Sequence, residues 1–274
     1  MPCFNDGKYI RDAVSSVRNQ TYGNIELIII DDGSKDRDTL SVLEEFRKEG
    51  ITVLTQSNGG PASARNNGIA FAKGKYVLPL DADDVIEPTY VEKAVNAIQS
   101  RDNCGIVYCE ADLFGEMSGK WNLEPFSVER ILIKNMIFVS ALFYKSDWEA
   151  VGGFHEGFKG GVEDHDFWLS IIGLGRQVYQ IPETLFHYRI KGKSRNNSYG
   201  NNENLIRESY RLMYDRHPNL FKANLDNYIY SLQSELAKEQ ARNAKLRASI
   251  SKIDFIINNP VTLSIRKKLR KKSC

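Results

Sequence analysis

Three consecutive isoleucines, Ile28, Ile29 and Ile30, sit inside the run ELIIID that ends on Asp31. Side chains of a strand point alternately to its two faces, so an unbroken β-branched run is a strand buried on both. Such a sheet needs helices above and below it, and the neighbouring sequence supplies them. Tyr9–Gln20 carries Ile10, Val14 and Val17 at helical spacing, and Asp38–Lys48 carries Leu40, Leu43 and Phe46. Thr52–Thr55 and Tyr76–Leu80 read as further short strands. Pro61–Ala72 and Pro88–Gln99 read as helices, the first opening on a proline suited to a first turn. This alternation predicts an α/β fold with a doubly wound, mostly parallel sheet and flanking helices. Ligands of such sheets bind beyond the carboxyl ends of the strands.

The pattern then becomes mixed. Ile106–Leu113, Ala141–Tyr144 and Gln177–Tyr188 have strand character, while Asp164–Ile172 and Asn201–Arg216 are predicted helices. From Leu225 it changes again. Leu225, Ile229, Leu232, Leu236, Glu239, Asn243, Leu246, Ile250, Ile253 and Ile257 follow steps of four and three, the spacing of a heptad seam. The expected organisation is one domain over residues 1–217 and a C-terminal helical extension over 218–274. The spacing over 225–257 predicts a coiled-coil homodimer, with a long helix packed on its own domain as the alternative.

Charge is concentrated at the end of the chain. Residues 266–272 read RKKLRKK, six basic residues; setting them aside leaves 31 basic against 35 acidic, a mildly acidic body at −4. The basic run follows Phe255, Ile256, Ile257, Val261, Leu263 and Ile265, which suits an anionic membrane surface better than nucleic acid. No run reaches the ~18 apolar residues of a membrane span. Cys104 and Cys109 lack the second pair that a zinc site requires, and scattered thiols suit a reducing cytoplasm. The expected location is cytoplasmic and peripheral, at the inner face of the cell membrane.

Four polar clusters fall where the strands end. Asp31, Asp32, Gly33 and Ser34 have turn composition. Residues 58–68, NGGPASARNNG, combine glycines that allow close backbone approach with Arg65 on a predicted helix. LDADD, Leu80 to Asp84, places three carboxylates within four residues, and such charges repel unless a cation or donors neutralise them. A hard divalent ion with oxygen ligands is the simplest answer. In VEDHDFW, residues 162–168, the acids either complement a helix dipole or supply a base that takes a proton from a hydroxyl.

Together IIIDDGS, N-G-G-x-x-x-A-R-N-x-G, L-D-A-D-D, V-G-G-F and E-D-x-D-x-W, in that order over roughly residues 2–190, resemble the family 2 glycosyltransferases of the GT-A fold. The resemblance implies an inverting transfer from a nucleotide diphosphate sugar to a saccharide or lipid-linked saccharide acceptor, in cell-surface polysaccharide or glycolipid assembly. It implies a divalent metal, Mg²⁺ or Mn²⁺. It also divides the first domain into a nucleotide-sugar-binding half, 1–100, and an acceptor-binding half, 101–217. By motif, Asp32 resembles the acid that holds the nucleobase, and Arg65 the basic residue near the nucleotide. Asp81 and Asp83 are similar to the outer acids of the D-x-D motif, with Asp83 the direct metal ligand. Asp164 resembles the catalytic base, and His187 a late residue at the metal or diphosphate.

The family usually opens with a Val/Ile strand ahead of P-x-(F/Y)-N, whereas Met1 directly precedes Pro2-Cys3-Phe4-Asn5. The expectation is a start placed too late or a shortened protein. No G-x-G-x-x-G occurs, which argues against a dinucleotide oxidoreductase. Gly192-Lys193-Ser194 imitates a phosphate loop, but His187 stands where its first glycine belongs. A nucleotidyltransferase, and a non-catalytic binder acting through the coiled coil and tail, are the competing readings.

Overall fold

The isoleucine run becomes strand β2 (Ile28–Asp31), buried along its whole length. It lies between β1 (Pro2–Cys3) and β3 (Thr52–Thr55), parallel to both. Parallel neighbours need crossover connections, and α1 (Ile10–Arg18) and α2 (Arg37–Lys48) make them. Successive isoleucines then feed opposite faces. Ile29 packs with Ile10, Val14, Leu43 and Phe46, whereas Ile28 and Ile30 pack with Ala64 of α3 (Gly60–Phe71). Asp36 caps α2 by accepting the Thr39 N–H at 2.9 Å. This computed structural model describes residues 1–158, 161–192 and 202–258.

A second sheet runs in the order β4 (Tyr76–Val77), β8 (Leu142–Tyr144), β6 (Cys104–Gly115), β9 (Gln177–Ile190), β5 (Val85–Ile86), with β7 (Gly119–Trp121) paired to β6. Here β6 and β9 are parallel along their length, while the other pairings are antiparallel. Parallel pairing is thus carried by the first sheet and the β6–β9 ribbon. Helices α4 (Tyr90–Gln99), α5 (Val128–Ile131), α6 (Lys145–Val151), α7 (Glu163–Gly173), α8 (Glu203–Arg216) and α9 (Pro218–Ala223) complete the unit Met1–Ala223.

Pro2 and Cys3 sit opposite Ile30 and Asp31, so the segment that was expected to follow a Val/Ile strand is itself a short strand. Beside it a mostly apolar cavity of about 640 Å³ is lined by Ile28, Ile30, Leu78, Leu80 and Leu142.

The second unit, Asn224–Cys274, is described as far as α10 (Leu225–Asn258), a helix of 34 residues. Its seam residues Leu225, Ile229, Leu232, Leu236 and Leu246 are exposed. Residues 259–274, with the RKKLRKK run, lie outside the described residues, as do Lys193 and Ser194. Among the described residues no helix is long and apolar enough to cross a membrane.

Candidate active site

Arg65 joins three of the four clusters. Carried by α3, it is only 5% exposed. Its Nη2 donates to Asp81 Oδ1 at 2.8 Å and to Oδ2 at 3.1 Å, and its Nη1 donates to Glu163 Oε1 at 2.8 Å. The planar fork of a guanidinium suits such double pairing, and a buried cation persists only when it is paired. Burial works against the charge, but Asp81 and Glu163 outweigh it and hold the guanidinium above its usual range. Phe154, from V-G-G-F, lies 5.7 Å below the guanidinium.

The D-D-G-S segment serves two ends. Asp31 Oδ1 accepts the Ser34 N–H at 2.9 Å, so the turn reading of this residue is realised. Gly33 has φ 75°, and a Cβ there would meet the Asn58 nitrogen at 2.9 Å. The neighbouring Asp32 reaches across to the glycine-rich segment. Its Oδ1 accepts from Gln56 Nε2 and the Gly59 N–H, both at 2.8 Å, and its Oδ2 accepts from the Gly60 N–H at 2.9 Å. A carboxylate has about four lone-pair positions, and these bonds take three of them.

The acidic cluster after β4 is balanced by the far end of β9. Asp83 Oδ2 is 2.6 Å from Lys191 Nζ, which also donates to Asp6 Oδ1 at 2.9 Å. Asp84 is buried and accepts the Arg189 backbone N–H at 2.9 Å. Burial, then repulsion from Asp81, pushes the Asp83 carboxyl up, and Lys191 offsets this only in part. Burial pushes Asp84 further, with Asp83 and Asp81 adding to it. Burial opposes the Lys191 charge, yet Asp83 and Asp6 hold its ammonium above the ordinary lysine range.

The two aspartates of E-D-x-D have different surroundings. Asp164 lies on the cavity, with Oδ2 accepting from Asn135 Nδ2 at 2.9 Å and Oδ1 accepting the His165 N–H at 2.8 Å. Asp166 is wholly buried, and its Oδ1 accepts from Arg216 Nε and faces His217 Nε2, both at 2.8 Å. Burial alone would raise the Asp166 carboxyl, but the bonds from His217 and Arg216 hold it below its usual value. It anchors the end of α8 to α7.

His187 does not join the other expected residues. Side chains alternate along β9, and Phe186 and Tyr188 take the cavity side. The His187 ring turns away, with Nδ1 at 2.5 Å from Asp112 Oδ1 and Nε2 at 2.9 Å from Glu87 Oε1. Both nitrogens are therefore committed to carboxylates. Burial opposes protonation, but Asp112 and Glu87 raise the imidazole above its usual value.

Asp32, Arg65, Asp81, Asp83, Asp164 and Lys191 all border one cavity of about 730 Å³. Trp121 stands at its edge, with its ring 5.1 Å from Tyr188 and 6.1 Å from Phe138. Among the described residues no three His, Cys, Asp or Glu side chains form a ready-made metal cluster. The donor set nevertheless fits a hard cation that arrives with ligands of its own. Mg²⁺ at phosphates commonly takes one or two carboxylates, and Asp81 and Asp83 both border this cavity with oxygen donors of that kind.

The α/β domain that carries this cavity has the GT-A fold, shared with a solved mannosyltransferase. The chain belongs to glycosyl transferase family 2, whose sequence profile matches residues 1–180. An uncharacterized glycosyltransferase of Rickettsia prowazekii is 33% identical over 210 residues, covering 72% of this chain and 65% of the relative. The chondroitin synthase of Pasteurella multocida is 30% identical over 182 residues, which is 64% of this chain but 19% of that protein. S. aureus TarS 1–349 in complex with UDP-GlcNAc shares the fold at TM-score 0.61 and 20% identity, over 72% of this chain and 59% of that one. The mannosyltransferase PcManGT of Pyrobaculum calidifontis, in complex with GDP-Man and Mn²⁺, gives TM-score 0.61 at 17% identity, over 94% and 79%.

Proposed function

We propose that this chain is an inverting, metal-dependent glycosyltransferase that moves a sugar from a nucleotide diphosphate donor to a saccharide or lipid-linked hydroxyl. The observation that carries the reading is Arg65, which ties the Asp81 motif to the acidic start of α7 at one cavity. Residues 1–100 supply the donor side and residues 101–217 the acceptor side. Asp32 directs its remaining lone pair at a nucleobase N–H. Asp83, with Asp81 beside it, would hold a divalent ion, which when bound would supply positive charge for the departing diphosphate. Asp164, oriented by Asn135, takes the acceptor proton as the acceptor oxygen bonds to the anomeric carbon and the carbon–oxygen bond to the diphosphate breaks. One displacement inverts the stereochemistry and needs no enzyme nucleophile. Complexes of the fold neighbours with UDP-GlcNAc and with GDP-Man and Mn²⁺ support the donor class. The polysaccharide synthases among the relatives support a role in surface polysaccharide assembly. The exposed seam of α10 supports a second copy of the chain as partner.

The test is release of nucleoside diphosphate from a panel of nucleotide sugars, with Mn²⁺ and saccharide acceptors. Asp83→Asn should remove turnover while the protein stays folded. Full turnover of that variant in chelator would remove the metal role.

A further inference from the structure

The acidic cluster is already partnered in part from within the chain. Arg65 takes both oxygens of Asp81, the Arg189 N–H bonds Asp84, and Lys191 holds Asp83. Lys191 is the more exposed cation of this set, its side chain 23% accessible against 4% for Arg65. It follows the last residue of β9, its charge sits at the end of a four-carbon stem, and it borders the cavity. Arg65, by contrast, is buried and fixed by two carboxylates. Asp6, at the start of the chain, gives the ammonium a second anchor.

We propose that Lys191 is a resident counter-cation that competes with a divalent ion for Asp83, so that the ion binds well only together with a diphosphate. The proposal rests on the metal-dependent reading above. An ammonium 2.6 Å from Asp83 Oδ2 and a divalent ion on the same carboxylate repel one another at close range. A bare ion must therefore displace Lys191 and leave it facing a like charge. A diphosphate changes the balance, because its oxygens accept both the ion and the displaced ammonium. Lysine suits that second role as a compact point charge for phosphate.

The full chain titrated with Mn²⁺ alone, followed by the electron paramagnetic resonance signal of free Mn²⁺, tests this directly. Wild type should bind weakly, and inorganic pyrophosphate should tighten binding, read there as Mn²⁺ retained with the protein after ultrafiltration because pyrophosphate itself chelates the free ion. Lys191→Met should bind Mn²⁺ alone at least tenfold more tightly than wild type, and lose most of the gain from pyrophosphate. Lys191→Arg, which keeps the charge, should stay close to wild type; Lys191→Gln is the second neutral variant should the methionine form fold poorly. Adding Asp83→Asn to Lys191→Met should abolish the tightening. Unchanged or weaker Mn²⁺ binding by both neutral variants overturns the proposal, as does tightening that survives Asp83→Asn. If the neutral variants bind Mn²⁺ alone no more tightly than wild type while pyrophosphate tightens all of them to the same extent, metal dependence stands and the role of Lys191 falls. If none binds Mn²⁺ with pyrophosphate, the metal-dependent reading itself fails.

Discussion

Arg65 and Glu163 stand 98 residues apart in the chain and 2.8 Å apart in space, both almost fully buried. The pair ties the half of the molecule that carries the glycine-rich segment to the half that carries the acidic helix.

Arg65→Met leaves Glu163 buried without its guanidinium. Removing one partner of a buried pair typically costs about 3–5 kcal/mol. Urea denaturation should show a loss of that order, and adding Glu163→Gln should recover a substantial part. Independent, additive losses from the two substitutions would show that the contact is not energetically coupled.

Asp164→Asn should keep nucleotide affinity within a few fold and lose most turnover, because the proton moves only in the reaction. Isothermal titration with the nucleoside diphosphate and single-turnover transfer separate the two effects. Asp166, bonded to Arg216 and His217, cannot take over the role without releasing the end of α8. Near-normal turnover of Asp164→Asn would therefore point to a base outside E-D-x-D.

His187 gives a pH dependence with a definite sign. Its folded imidazole titrates above the ordinary value of 6.5. The stabilisation from Asp112 and Glu87 is therefore fully present below about pH 6.5 and is lost as pH rises through the elevated folded value. Melting temperatures of wild type and His187→Gln should converge as pH increases from 6 to 9. A constant difference over that range would show that the ring acts as a neutral hydrogen-bond partner only.

The seam of α10 predicts concentration-dependent dimers. Ile229, Leu236, Asn243, Ile250 and Ile257 fall at one core position, and Leu225, Leu232, Glu239, Leu246 and Ile253 at the other. Light scattering should give a dimer for the full chain and a monomer for a chain ending at Ala223. Asn243→Leu should strengthen association or change its stoichiometry. Monomers of both chains at micromolar concentration would leave the seam without a partner.

Local patterns made much of this legible. The β-branched run at Ile28–Ile30 forced a strand buried on both faces, and Thr52–Thr55 is the strand its composition predicts. The carboxylates of Asp81–Asp84 announced an unusual electrostatic site because repulsion at such spacing needs a remedy. The identity of that remedy was not legible. Arg65 was visible as a basic residue beside glycines, but its partner Glu163 lies far along the chain. Lys191 and Asn135 belong to no motif, and only the return of β9 beside β6 and the chain before Ile137 bring them to the cavity. His187 was carried over by resemblance, and a motif match does not say which face of a strand a residue occupies. The pairing of β9 with β5 and β6 decides that, opposite Val85 and Asp112.

Trp121 at the cavity edge has a practical consequence, since the chain has three tryptophans in three different settings. Trp168 is fully buried and donates to the Ile137 carbonyl at 3.0 Å, while Trp148 is tied to Asn66 at 3.1 Å. Indole emission follows local polarity, so Trp121 should report the arrival of a ligand and Trp168 the loss of the core. The protein thus carries intrinsic optical probes for both events, and with Trp121→Phe as the control neither needs an attached dye.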